Sequence, residues 1–126
     1  MENELPIFTA ALELPAPWFV SKVNFSIIDD VKVLHITVDH TAGSTFALDG
    51  VDYPLYDHRQ RTWRHLNFFQ HQCHLHARVP RIKTKEGEVK QIDLPWAQPG
   101  SSFTLLFERQ VIELLKEGQS PSPGVR

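Results

Sequence analysis

A chain of 126 residues, 41% of them hydrophobic, suits one domain built on a single core and excludes two ordinary domains side by side. Eight Phe, three Trp and a charged fraction of 22% supply enough apolar surface to offset the entropy of ordering the chain, which excludes wholesale disorder. A lone cysteine, Cys73, excludes an internal disulfide and any cysteine-rich zinc cluster within one chain, and a net charge of -2 gives no overall bias toward nucleic acid.

The first twenty residues hold Glu2, Glu4 and Glu13 but no basic cluster followed by an apolar run, and no window approaches the roughly 18 apolar residues of a membrane span. The expectation is a soluble, cytoplasmic protein. Leu5, Phe8, Ala11 and Leu12 recur at helical spacing until Pro15 and Pro17 stop them, so residues 4–13 read as a short amphipathic helix. From Trp18 to Ile27 apolar residues alternate with a slip near Lys22. Asp29-Asp30 offers turn chemistry, and Leu34, Ile36 and Val38 alternate again. This predicts a hairpin of 18–28 with 31–39.

Residues 41–50 read as a loop, rich in Gly, Ser and Asp. After a short extended piece at 53–56, residues 62–69 and 72–83 read as two strands. The second of these sets Cys73, Leu75, Ala77 and Val79 against His74, His76 and Arg78. Lys85-Glu86-Gly87-Glu88 is a turn, and Val89, Ile92 and Leu94 lead a last strand into Pro95-Trp96. Pro99-Gly100 breaks the chain. Ser101 or Ser102 then caps a helix over 103–117, with Phe103, Leu106, Phe107, Ile112, Leu114 and Leu115 on its apolar face and Gly118 as its stop. Residues 1–117 form a single domain in this reading, and 118–126 form a disordered tail. The predicted fold class is α+β: a small antiparallel sheet with a helix at each end.

Charge is unevenly distributed along the chain. Between His58 and Lys85 lie Arg59, Arg61, Arg64, Arg78, Arg81, Lys83 and Lys85, five histidines and no acid; all fifteen acids lie elsewhere. Lys and Arg neutralise phosphates and release counterions, and the interleaved Trp63, Phe68 and Phe69 either stack on bases or anchor the strands. The alternative is a solvated sheet face with its aromatics in the core. His71, His74 and His76 beside Cys73 suggest a metal, yet a tetrahedral zinc site needs two ligands more than the pair His74 and His76 provides on one strand face. The carboxylates Asp29, Asp30, Asp39, Asp49, Asp52 and Asp57 fall where turns and loops favour Asp, and no nucleophile turn or phosphate loop accompanies them. Cys73, alternating inward, reads as a packed thiol.

The blocks Tyr56-Asp57-His58-Arg59, Arg61-Thr62-Trp63-Arg64-His65-Leu66-Asn67, His76-Ala77-Arg78-Val79-Pro80-Arg81 and Leu94-Pro95-Trp96-Ala97 resemble the zinc-binding amino-terminal region of ISL3-family bacterial transposases. Ser101-Ser102-Phe103-Thr104-Leu105-Leu106-Phe107-Glu108 continues the likeness, and Phe8-Thr9-Ala10-Ala11-Leu12 with Pro17-Trp18-Phe19-Val20 opens it. The resemblance implies zinc-ribbon-like hairpins with a Cys-x-x-Cys pair before the Tyr-Asp-His block and a second ligand pair, a Cys with a nearby His or Cys, just after the His76–Arg81 block. Here those places hold Phe46-Ala47-Leu48-Asp49-Gly50 and Lys83-Thr84-Lys85-Glu86-Gly87-Glu88, so no cofactor is expected. It also implies a module for double-stranded DNA at transposon ends, with the family's catalytic triad in a domain downstream. The expected function is therefore DNA binding without enzyme activity, through the basic sheet face. Arg59, Arg61, Arg64, Arg78, Arg81, Lys83 and Lys85 would contact phosphates, and Trp63 and His65 would read a groove or support the strand. The rival expectation is a protein-interaction or regulatory module, a transposase remnant that pairs with full-length transposase or with itself.

Overall fold

The computed structural model describes residues 5–119. It is α+β, with a helix at each end of a largely antiparallel sheet. Helix α1 (Leu5–Ala11) lays Leu5 and Phe8 on the core, and Leu12 just beyond it does the same. The Thr9 hydroxyl accepts the backbone N–H of Val20 at 2.9 Å, fastening α1 to the start of the first strand. Strands β1 (Trp18–Ile28) and β2 (Val31–His40) form the expected hairpin, and the slip near Lys22 is a bulge between Val20 and Lys22. Their two-residue turn places Asp29 and Asp30 at φ 51° and 65°, the type I′ geometry whose twist suits a hairpin and which Asp tolerates.

The region read as a loop contains a second hairpin, β3 (Thr45–Leu48) with β4 (Val51–Pro54). Asp49 and Gly50 turn it at φ 53° and 79°, again type I′. The third hairpin joins β5 (Asp57–Phe68) to β6 (His71–Lys83); β5 starts five residues earlier than expected, through the polar run Asp57-His58-Arg59-Gln60. The last strand, β7 (Val89–Gln91), is shorter than expected and pairs with β6 at Arg81–Lys83.

The sheet order is β1-β2-β6-β5, with β7 pairing the last residues of β6 beyond the stretch that meets β2. Its central pair, β2 with β6, is parallel from Val33↔Gln72 to Val38↔Ala77, so two antiparallel hairpins are joined along a parallel seam. That seam is the most buried part of the sheet, as expected for parallel strands. Leu34, Ile36 and Val38 of β2 and Cys73, Leu75, Ala77 and Val79 of β6 face the core. Trp96 packs edge-on against both Trp18 and Trp63, with ring centroids 4.8 and 5.4 Å away. Each buried indole removes roughly 150–250 Å² from water, on the order of 5 kcal/mol of gross apolar burial.

Helix α2 (Leu105–Gln119) begins two residues later than expected and runs through Gly118. Its cap is Thr104 and not Ser101 or Ser102: the Thr104 hydroxyl accepts the Phe107 N–H at 3.2 Å. Only the first turn, Leu105 to Glu108, is partly buried, while Val111, Ile112, Leu114 and Leu115 are exposed, so the expected apolar face is uncovered beyond that turn. The expected tail from residue 120 onward lies outside the described residues. Among the described residues no helix is long and apolar enough to cross a membrane.

Candidate nucleic-acid interface

The β5–β6 hairpin carries all the residues singled out for DNA except Lys85, and strand alternation divides them between two faces. Register pairs Arg59 with Val79, Arg61 with Ala77 and Trp63 with Leu75, so these β5 residues and His65 lie on the core side. Arg64 pairs with His74 and Thr62 with His76, which places Arg64 and Arg78 on the opposite side. Arg59, Lys83 and Lys85 are exposed, and Lys83 lies over the Tyr56 ring at 5.7 Å.

The other cations are engaged within the fold. Arg78 donates to both carboxylate oxygens of Asp39 at 3.1 and 3.2 Å, and Arg81 clamps Asp57 through Nε and a terminal nitrogen. The Arg81 guanidinium holds the Asp57 carboxyl below its usual range. Arg64 donates to the His65 carbonyl at 2.8 Å and to the Asn67 side chain at 2.8 Å, and sits over the Phe107 ring. Arg61 lies over Trp63 at 5.2 Å and reaches the Ser101 carbonyl at 3.4 Å. Asp39 and Asp57, both outside the cationic stretch, thus neutralise two of its arginines, which counting within that stretch does not reveal.

Trp63 is 1% exposed and His65 9%, and both support the strand. His65 shares a hydrogen bond of 2.7 Å with the Thr104 hydroxyl, the cap of α2, and burial pushes its pKa down. Lys90, missed because it follows two glutamates, is exposed on β7 opposite Ile82 and next to the Lys83↔Val89 pair. With Arg59, Lys83 and Lys85 it belongs to the end of the sheet where β5 begins and β6 finishes.

On the outer face, side chains link four strands: Ser26 to His35 (2.6 Å), His35 to His76 (2.8 Å) and His76 to Thr62 (2.8 Å). His40 and His58 make a second imidazole pair, 2.9 Å between Nε2 atoms. Burial first, and neighbouring cations and imidazoles second, lower the pKa values of His58, His74 and His76, so these rings are neutral at pH 7.

Two family models match the chain. Residues 49–87 match the zinc-finger of transposase IS204/IS1001/IS1096/IS1165, covering the β3–β4 turn, β4, β5, β6 and the turn after it. Residues 92–121 match the helix-turn-helix domain of transposase family ISL3, which covers the Trp96 segment and α2 and draws attention from the sheet to that helix. No curated protein and no solved structure matches the chain.

The side chains present do not fit a zinc ion. The one thiol, Cys73, is buried at 1% exposure with its pKa pushed up to about 11 by desolvation, which opposes the thiolate a metal requires. His58, His65 and His76 are committed to the hydrogen bonds above, and no group of three or more His, Cys, Asp or Glu among the described residues is arranged to hold a metal. Two turns lie at the ends of the matched zinc-finger region: the Asp49-Gly50 hairpin, and the loop in which Thr84 N–H donates to the Glu88 carbonyl at 2.8 Å while the Thr84 hydroxyl accepts the Glu88 N–H at 3.1 Å. Both matched models describe regions of ISL3-type transposases, and they adjoin each other in this chain, a zinc-finger region followed by a helix-turn-helix region.

Proposed function

We propose that this chain is a non-catalytic DNA-binding module that engages duplex DNA at transposon ends without zinc. The observation that carries the reading is the adjacency of the two matched DNA-binding regions, physically coupled where His65 of β5 meets the Thr104 cap of α2. Arg59, Lys83, Lys85 and Lys90 make the primary phosphate contacts because they are exposed at one end of the sheet. Arg61, Arg64, Arg78 and Arg81 contribute only to the extent that DNA competes for their present partners, and Trp63 and His65 act by holding the strand. Contacts of this kind position a protein on the duplex, while sequence preference comes from the helix-turn-helix region. The ligand sites of the zinc-binding relatives are replaced by the hydrogen-bonded turns at Asp49-Gly50 and Thr84–Glu88.

The test is a salt series with a labelled duplex. Four phosphate contacts give a slope of log K against log salt between roughly -3 and -4. The double variant Arg59→Glu, Lys83→Glu should bind weakly and with a shallower slope; unchanged binding would remove this interface. A second reading, a module that pairs with full-length transposase, is favoured by the uncovered Val111, Ile112, Leu114 and Leu115 of α2. Absence of duplex binding at low salt, with co-purification of the transposase, would select it.

A further inference from the structure

β1 is an edge of the main sheet, and it is open over part of its length only. At its start, α1 covers it: the Thr9 hydroxyl occupies the Val20 N–H, and Leu5, Pro6, Thr9 and Ala10 line a shallow recess with Phe19, Val20 and Ser21. From Lys22 to Ile28 it pairs with β2 on one side, and its other side lies at the edge of the sheet. These seven residues, Lys-Val-Asn-Phe-Ser-Ile-Ile, contain no acid, proline or glycine. Natural edges are ordinarily protected by charged side chains, proline, bulges or a covering element, and here Lys22 and the bulge beside it guard only the start of the segment.

The turn fixes which backbone groups face outward. In a two-residue type I′ hairpin the flanking residues, Ile28 and Val31, form a hydrogen-bonded pair, so Ile28, Ser26 and Asn24 are directed at β2. Val23, Phe25 and Ile27 therefore present their N–H and C=O groups to the open side. The same three side chains lie on the core side of the sheet; Val23 still packs against the core, while Phe25 is 44% exposed and Ile27 73%.

We propose that this segment is a self-association site, pairing antiparallel with β1 of a second copy about a two-fold axis at Phe25. The free segment from 22 to 28 has its centre at 25. In that register Phe25 faces Phe25, Val23 faces Ile27 and Asn24 faces Ser26, so apolar residues meet on one face and amides meet hydroxyls on the other. The outward backbone groups of both copies form about six hydrogen bonds. Lys22, the only charged residue of β1, falls opposite Ile28 and next to Asp29 and Asp30 of the other copy, a charge match repeated by symmetry. Each tip enters the neighbour's recess beside Ser21, which limits the pairing to this length. The product is a continuous sheet across two subunits, the symmetric arrangement commonest in soluble oligomers.

Sedimentation of the full chain over a concentration series should show a monomer passing to a dimer. Ile27→Lys substitutes an exposed side chain, so its circular dichroism should match the parent; because symmetry counts the change twice, association should weaken roughly a hundredfold. Phe25→Cys should cross-link to itself on mild oxidation, since facing Cα atoms in such a pair lie about 5.5 Å apart, within disulfide range. Ile28→Cys, displaced from the axis, should not. A monomer at every soluble concentration, a dimer indifferent to Ile27→Lys, or cross-linking through Ile28→Cys and not Phe25→Cys would each overturn the proposal.

Discussion

Replacing Thr104 by Val keeps the shape of a side chain that is 2% exposed and removes its hydroxyl. That hydroxyl holds two partners: it accepts the Phe107 N–H at 3.2 Å and shares a hydrogen bond of 2.7 Å with His65 Nδ1. Loss of a cap costs about 0.5–2 kcal/mol, and a buried imidazole nitrogen left without a partner costs about 1–3 kcal/mol. Thr104→Val should therefore destabilise the protein by roughly 2–4 kcal/mol, read as a lower urea midpoint at unchanged slope. Thr104→Ser retains both hydrogen bonds and should stay within about 1 kcal/mol of the parent. Since Thr104 N–H also donates to the Arg64 carbonyl at 2.9 Å, the backbone bridge survives, and hydrogen exchange should accelerate at the start of α2 before it does in β5. A Thr104→Val protein with the parent's midpoint would refute the view that this side chain couples the helix to the sheet.

Burial lowers the pKa values of His58, His65, His74 and His76 from 6.5, so the unfolded chain takes up protons that the folded one refuses. Stability is then complete above about pH 6.5 and declines as pH falls below it; thermal melts across that range should show the decline, and a flat profile would contradict neutral folded imidazoles. Exhaustive chelation should leave the melting temperature unchanged, because the donors among the described residues do not form a metal site; a fall reversed by added zinc would show otherwise. Asp39→Asn should release Arg78 and remove one negative charge, raising duplex affinity several-fold at low salt with a steeper salt slope, measured by fluorescence anisotropy.

The strands with strict alternation were legible to within a residue or two: β1 with its bulge, β2 and β6. Asp49-Gly50 carried a type I′ signal too, yet the short flanks Thr45–Leu48 and Val51–Pro54 offered little hydrophobic period, so composition suggested a loop. The early part of β5 was hidden for a related reason, since Asp57, His58, Arg59 and Gln60 are polar in succession and only pairing with Pro80 and its neighbours makes them a strand. Hairpins announce themselves through a nearby turn; the parallel contact of β2 with β6 joins residues about forty apart and has no local signature. The candidate interface suffered most from this. Which arginines meet Asp39 and Asp57, and how deeply Trp63 and His65 are buried, depend on those distant pairings.

The parallel contact also determines where the molecule can be divided. The matched regions begin at residue 49, whereas one flank of β6 is supplied by β2, which ends at His40. A cut between them would leave the β2-facing backbone groups of β6 between Gln72 and Ala77 without hydrogen-bonding partners, while β5 still pairs its other side, and would uncover Cys73, Leu75 and Ala77 from one side. The matched regions and the packed fold thus have different borders in this chain: the stretch from residue 49 onward shares a wall with the first forty residues.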